Sequence, residues 1–88
     1  MKDKNKISAF KITGLDGKWG IVLAEDEFIA SEHFQSENNI SEDDITLIEP
    51  LTLSDRIHNV YTGKKASIAE MIEGISFFPR CVLESEDL

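Results

Sequence analysis

Near the start of the chain, two β-prone runs flank an Asp-Gly pair in ISAFKITGLDGKWGIVLA, residues 7–24. Asp-Gly favours a two-residue turn whose central residues both take positive φ, so the pattern predicts a β-hairpin with Asp16 and Gly17 at its tip. That turn sets Leu15 opposite Lys18, Gly14 opposite Trp19, Ile12 opposite Ile21 and Phe10 opposite Leu23. Strand side chains alternate between faces, so this register collects Phe10, Ile12, Trp19, Ile21 and Leu23 on one buried face. Trp19 then lies over the bare backbone of Gly14, and Lys11, Thr13 and Gly20 face a wetter side.

Beyond Ala24 the pattern weakens. In EDEFIASEHFQS, Phe28, Ile29 and Phe34 follow neither the helical nor the strand period. A short polar connection followed by Phe-Ile is what a meander would show, so a third strand is expected over 27–34, with one or two helical turns as the alternative. SENNISEDD reads as a solvent loop. DITLIEPL predicts another strand with Ile45, Leu47 and Leu51 on one face, which Pro50 ends or confines to a sheet edge.

The period then changes to helical. Thr52-Leu-Ser-Asp55 has the form of a helix start, Leu53, Ile57, Val60 and Tyr61 recur at helical spacing, and Gly63 stands where a stop is expected. Ser67-Ile-Ala-Glu70 is a stronger capping box, followed by the stripe Ile68, Met71, Ile72 and Ile75, with Gly74 near its end. SFFPRCVLE predicts a final strand interrupted by Pro79.

Strands, then helices, then a closing strand define an α+β protein. The expected form is a small antiparallel sheet, the N-terminal hairpin plus one to three further strands, with two short helices packed on one face. At 88 residues the chain has room for one core. The expected organisation is a disordered N-terminus over 1–6, a single domain over 7–84 and an acidic tail over 85–88.

Composition adds compartment and charge. One cysteine, Cys81, cannot form an internal disulfide, and the lysines near the start have no apolar run behind them. No segment approaches the roughly 18 apolar residues of a membrane span. The expected setting is cytoplasmic.

Candidate chemistry is sparse. His33, His58, Cys81 and the carboxylates stand in no Cys-x-x-Cys or His-Glu-x-x-His arrangement, so neither a metal nor any other cofactor is expected. The alternating acids and central glycine of a calcium loop are missing from both acidic runs. Gly14, Gly17 and Gly20 lack the Lys-Ser/Thr of a phosphate loop and a strand-to-helix junction, so turn and cross-strand roles account for them. No nucleophile and base converge, and the expectation is a protein that is not an enzyme.

SIAEMIEGIS resembles the second helix and turn of bacterial helix-turn-helix domains, and residues 52–83 form the alternative reading of a DNA-binding regulator. Against it, Ala69 and Gly74 are five apart, Pro79 falls inside the would-be recognition helix, and a net charge of −8 with a pI near 4.6 repels phosphate. Direct nucleic-acid binding is not expected.

The charge distribution is more telling. From Trp19 through Asp55 there are ten acids and no lysine or arginine. A one-signed face costs self-repulsion but speeds encounter with an oppositely charged surface and rejects like-charged competitors. The expected partner is a basic protein, such as a nuclease, whose phosphate-binding groove the acids would occupy as a mimic of DNA. In size and charge the chain is similar to bacterial immunity proteins, antitoxins and phage-encoded inhibitors. The expected contact residues are Glu25, Asp26, Glu27, Phe28, Glu32, Phe34, Glu42, Asp43 and Asp44, the phenylalanines serving as anchors within a charged rim.

Overall fold

The hairpin forms from Ser8–Gly14 (β1) and Trp19–Ala24 (β2) in the computed structural model, which describes residues 6–87. Residues 1–5 of the expected disordered N-terminus, and Leu88, lie outside the described residues. The register differs from the predicted one by a single residue: Thr13 faces Trp19, Ile12 faces Gly20, Lys11 faces Ile21 and Phe10 faces Val22. The cause is the turn. Gly17 takes φ +84, whereas Asp16 has no positive φ, so the paired turn geometry expected of Asp-Gly is not adopted. Instead Gly17 N–H donates to Gly14 O at 3.1 Å and Gly14 N–H to Lys18 O at 2.8 Å, enclosing the longer loop Leu15-Asp16-Gly17.

A one-residue slip moves every side chain of one strand to the other face. Phe10 and Ile12 therefore share a side with Val22 and Ala24, while Trp19, Ile21 and Leu23 project from the opposite side with Ala9. Both sides of the hairpin are buried, each under its own layer.

Two distant strands complete the antiparallel sheet, Ile45–Leu51 (β3) against β1 and Arg80–Glu84 (β6) against β2, in the order β3-β1-β2-β6. Pro50 lies in the outer strand β3, where its missing N–H leaves no central ladder bond unmade. The expected alternation of Ile45, Leu47 and Leu51 is broken by a bulge. Gly14 faces Ile45 while Thr13 faces Leu47, so Ile45 and Ile48 pack inward together and Leu47 is 51% exposed.

The strand expected over 27–34 is a helix, Glu27–Asn38 (α1). Asp26 caps it, its Oδ1 accepting from Ile29 N–H at 2.8 Å, and Asn39 closes it in the left-handed conformation. Its buried stripe is Ala30, Ser31 and Phe34, which explains the illegible period: two small residues face the sheet while Phe28 points out. Phe34 packs closely on β2. A Cβ added at Gly20 would stand 3.0 and 3.2 Å from its ring and 3.3 Å from Cys81 Sγ.

The helix expected after Thr52 is also replaced. Thr52 N–H donates to Asp55 Oδ2 at 2.8 Å, and Asp55 N–H to Thr52 O at 3.1 Å, closing a turn that does not propagate. The chain continues as a second hairpin, Arg56–Asn59 (β4) and Lys64–Ser67 (β5), with Gly63 at φ +73 in the connection. Ile57 and Ala66 pack inward from it.

At the second capping box the helix forms as predicted, Ile68–Gly74 (α2), with Ser67 Oγ accepting from Glu70 N–H at 3.2 Å and Glu70 Oε1 from Ser67 N–H at 3.4 Å. Ile68, Met71 and Ile72 pack with Ile21 and Leu23, whereas Ala30 and Phe34 of α1 pack with Ile12 and Val22. The protein is α+β, with its helices on opposite faces of the sheet and not on one. The register shift is the physical reason, because it gives the central hairpin two apolar faces to cover.

Within the expected tail, Ser85–Asp87 form a 3-10 turn. Ser85 Oγ accepts from Trp19 N–H at 3.2 Å, and Glu86 lies 2.9 Å from Lys18 Nζ. Among the described residues no helix is long and apolar enough to cross a membrane.

Candidate protein-binding surfaces

Helical geometry decides where the acids of α1 point. Phe28, Glu32 and Ser36 recur every four residues and form its exposed stripe, with Phe28 68% exposed. Glu25, Asp26 and Glu27 surround the helix start, where their charge also complements the N-terminal end of the helix dipole. Asp26 is held there by its cap bond. His33 Nε2 lies 3.0 Å from Glu37 Oε1 one turn later, without hydrogen-bond alignment.

The second acidic run is elsewhere. Glu42–Asp44 form a 3-10 turn after α1, tied to the loop of the first hairpin by Leu15 N–H donating to Asp44 O at 2.8 Å. Asp44 is occupied as a cap, its Oδ2 accepting from Ser41 N–H at 3.0 Å and Ser41 Oγ at 3.2 Å. Glu42 and Asp43 are exposed. The first run lies at the start of α1 and the second follows its end, and the 12 residues between, rising about 1.5 Å each, span about 18 Å. They stand at two places and not in one cluster.

Phe34 does not belong to that surface. It is 2% exposed and fills the space between α1 and β2, so it cannot touch a partner while the protein stays folded.

The opposite side of the molecule differs in charge. Arg80, at the start of β6, donates from Nη2 to Tyr61 Oη at 2.6 Å, and its guanidinium carbon lies 4.9 Å from the Phe77 ring centroid and 5.5 Å from that of Tyr61. Beside it a groove of about 340 Å³ runs between the tip of the β4–β5 hairpin and α2, with Met71, Gly74 and Ile75 in its lining. A second hollow, bordered by Lys64 and Lys65, shares Asn59, Glu70 and Met71 with it. Sequence reasoning assigned Tyr61 to a helix face. Only a hairpin reading of VYTGKK would have brought Tyr61 to Arg80. The two-helix arrangement of the helix-turn-helix alternative is not formed, since residues 56–67 are strands and their connection.

Burial pushes the Cys81 thiol up to about 12, with the Glu84 carboxylate adding to the effect, so it is protonated at neutral pH. Among the described residues no group of three or more His, Cys, Asp or Glu side chains could hold a metal ion.

Neither a protein-family model, nor a curated protein, nor a solved structure matches the chain. The functional reading therefore rests on its own surfaces.

Proposed function

We propose that the chain is a small, non-enzymatic protein-binding module of the inhibitor, immunity or antitoxin kind, acting in the cytoplasm. In this reading the exposed stripe of α1 docks on a basic protein, such as a nuclease or another nucleic-acid-binding protein. What supports it is Phe28, 68% exposed on the outward stripe of α1 with Glu32 and beside Glu25, Asp26 and Glu27. Leaving a phenylalanine in water forgoes about 1.5–3 kcal/mol of burial, which a partner's pocket would recover. An aromatic anchor inside a charged rim is the arrangement of many binding hot spots. The acids then steer encounter, and Glu42 and Asp43 add negative charge beyond the far end of α1, as a phosphate-binding groove would accept.

The test starts with the immobilised chain, cell extract at low and then high salt, and mass spectrometry of what is retained. The purified protein so identified then enters stopped-flow association. The expected partner has a basic surface, and its association rate falls steeply as the screening length shortens from about 10 Å at 0.1 M salt to about 3 Å at 1 M. Replacing Glu25, Asp26 and Glu27 by Gln, Asn and Gln slows association, with Asn at position 26 keeping the cap. Phe28→Ala speeds dissociation. If both variants bind with unchanged rates and unchanged salt dependence, α1 is not the contact surface.

A further inference from the structure

The groove on the α2 face has an architecture that the packing of the core does not require. Tyr61 and Phe77 are 71% and 62% exposed, yet they bracket one guanidinium, and Tyr61 fixes its orientation through a hydrogen bond. An arginine held in this way has lost much of its rotamer freedom before any ligand arrives. Its remaining N–H groups form a planar fork suited to a carboxylate. The floor next to it is the outer edge of the core, Met71 and Ile75, 5% and 9% exposed, and Gly74 leaves open space where a side chain would otherwise project. Methionine in such a lining adapts to differently shaped apolar groups.

Charge narrows the choice of occupant. Lys64 and Lys65 border the neighbouring hollow, and Arg56 lies close by, its Nη2 donating to Lys65 O at 3.1 Å. Glu70, the acid in the lining, is already engaged with Ser67 and lies 3.8 Å from Arg56 Nη1. Across the two hollows Arg80, Lys64 and Lys65 outnumber the one acid, Glu70, on a chain of net charge −8. A polyphosphate backbone would carry its repeated charge past the acids of the rest of the surface, whereas a short segment with one or two carboxylates meets only the local cations. Apolar lining beside a fixed guanidinium also matches a side chain paired with a carboxylate better than it matches a sugar-phosphate chain.

We propose that the groove between the β4–β5 hairpin and α2 binds an extended acidic peptide segment of a partner protein. One carboxylate sits on Arg80, and an adjacent apolar side chain lies over Met71 and Ile75. This site is on the opposite face of the sheet from α1 and does not depend on the function proposed for that helix. With both surfaces in use, the chain would join a basic protein to an acidic peptide.

The probes are short fluorescein-labelled synthetic peptides carrying Asp or Glu beside Phe, Leu or Met, the matched peptides with Asn or Gln, and a single-stranded oligothymidylate. Binding is read by fluorescence anisotropy and by amide NMR shifts on the full chain. The expected result is that acidic-apolar peptides shift the amides of Tyr61, Met71, Ile75 and Arg80, and bind roughly tenfold or more tightly than their amide counterparts. Arg80→Lys, which keeps the charge but loses the fork, weakens binding by about tenfold. Tyr61→Phe, which removes only the hydroxyl that orients Arg80, weakens it less. No shifts at millimolar peptide, or equal affinity in wild type and both variants, would overturn the proposal. Tighter binding of the oligothymidylate would assign the groove to nucleic acid. Groove shifts that grow with protein concentration alone, accompanied by a dimer in sedimentation, would assign it to a second copy.

Discussion

Gly20→Ala probes the tightest of the glycine sites. The added Cβ would stand 3.0 Å from Phe34 Cε1, 3.2 Å from Cδ1 and 3.3 Å from Cys81 Sγ, all inside ordinary van der Waals separation. The ring cannot easily yield, because Phe34 is 2% exposed and packed with Ile12, Val22, Ala24 and Ala30. Inserting a methyl into so tight a site costs about 1–3 kcal/mol. Gly20 has no positive φ, so alanine also gains about 0.4–1 kcal/mol by restricting the unfolded chain. Overpacking wins, leaving a net loss of about 1–2 kcal/mol. At about 4–8 °C per kcal/mol for a domain of this size, the melting temperature falls by roughly 5–15 °C. Thermal melts followed by circular dichroism measure it, and a double-mutant cycle isolates the cause. In a Phe34→Leu background Gly20→Ala should be less damaging by about 0.5 kcal/mol or more. A neutral or stabilising Gly20→Ala, or an identical penalty in both backgrounds, would refute the packing of Phe34 on β2.

Two further outcomes follow from local chemistry. Ser67→Ala removes the side-chain acceptor of the α2 capping box and should lower stability by about 0.5–2 kcal/mol in urea titration, while Ser67→Asn restores most of it. Cys81 should react with a thiol reagent far more slowly in the native protein than in urea. Its thiol, raised by burial from 9.0 to about 12, favours the protonated fold: stability from this group is complete below pH 9 and is lost as pH rises toward 12. Cys81→Ser should remove that alkaline loss, as seen by comparing melts of the two proteins across that range.

The sequence pattern was most legible where one local signal had one structural outcome. The capping box at Ser67 and Glu70 predicted α2, and the β-prone run SFFPRCVLE predicted a closing strand, of which only the part beyond Pro79 forms β6. It misled where one residue type serves two geometries. Asp-Gly at 16–17 fits a two-residue turn, but the chain used only the left-handed freedom of Gly17, and the extra loop residue reversed which side chains of β1 meet those of β2. Thr52, Asp55 and Gly63 punctuate a helix or a hairpin equally well, and the β-branched Ile57 and Val60 between them favour the strand. For α1 the informative signal lay in its ends, Asp26 and Asn39, because the stripe between them is built from Ala30 and Ser31. Of the expected contact residues, exposure separates Phe28 from Phe34, and no sequence period distinguished the two. The arginine bracketed by Tyr61 and Phe77 was illegible for the same reason as the second hairpin, since it exists only once residues 59–63 turn back.

The strand order β3-β1-β2-β6 also sets how the chain must find its fold. The central pair is local and can close early, but its neighbours are recruited from far along the chain, Ile48 to meet Ile12 and Leu83 to meet Ile21. Each recruitment pays loop-closure entropy before burial repays it, which slows folding relative to a chain held by local contacts alone. Until β6 arrives, Ile21 and Leu23 lack one of their flanks and β2 presents an open edge. The interval between forming the hairpin and docking β6 is therefore when the nascent sheet is most open to pairing with another chain.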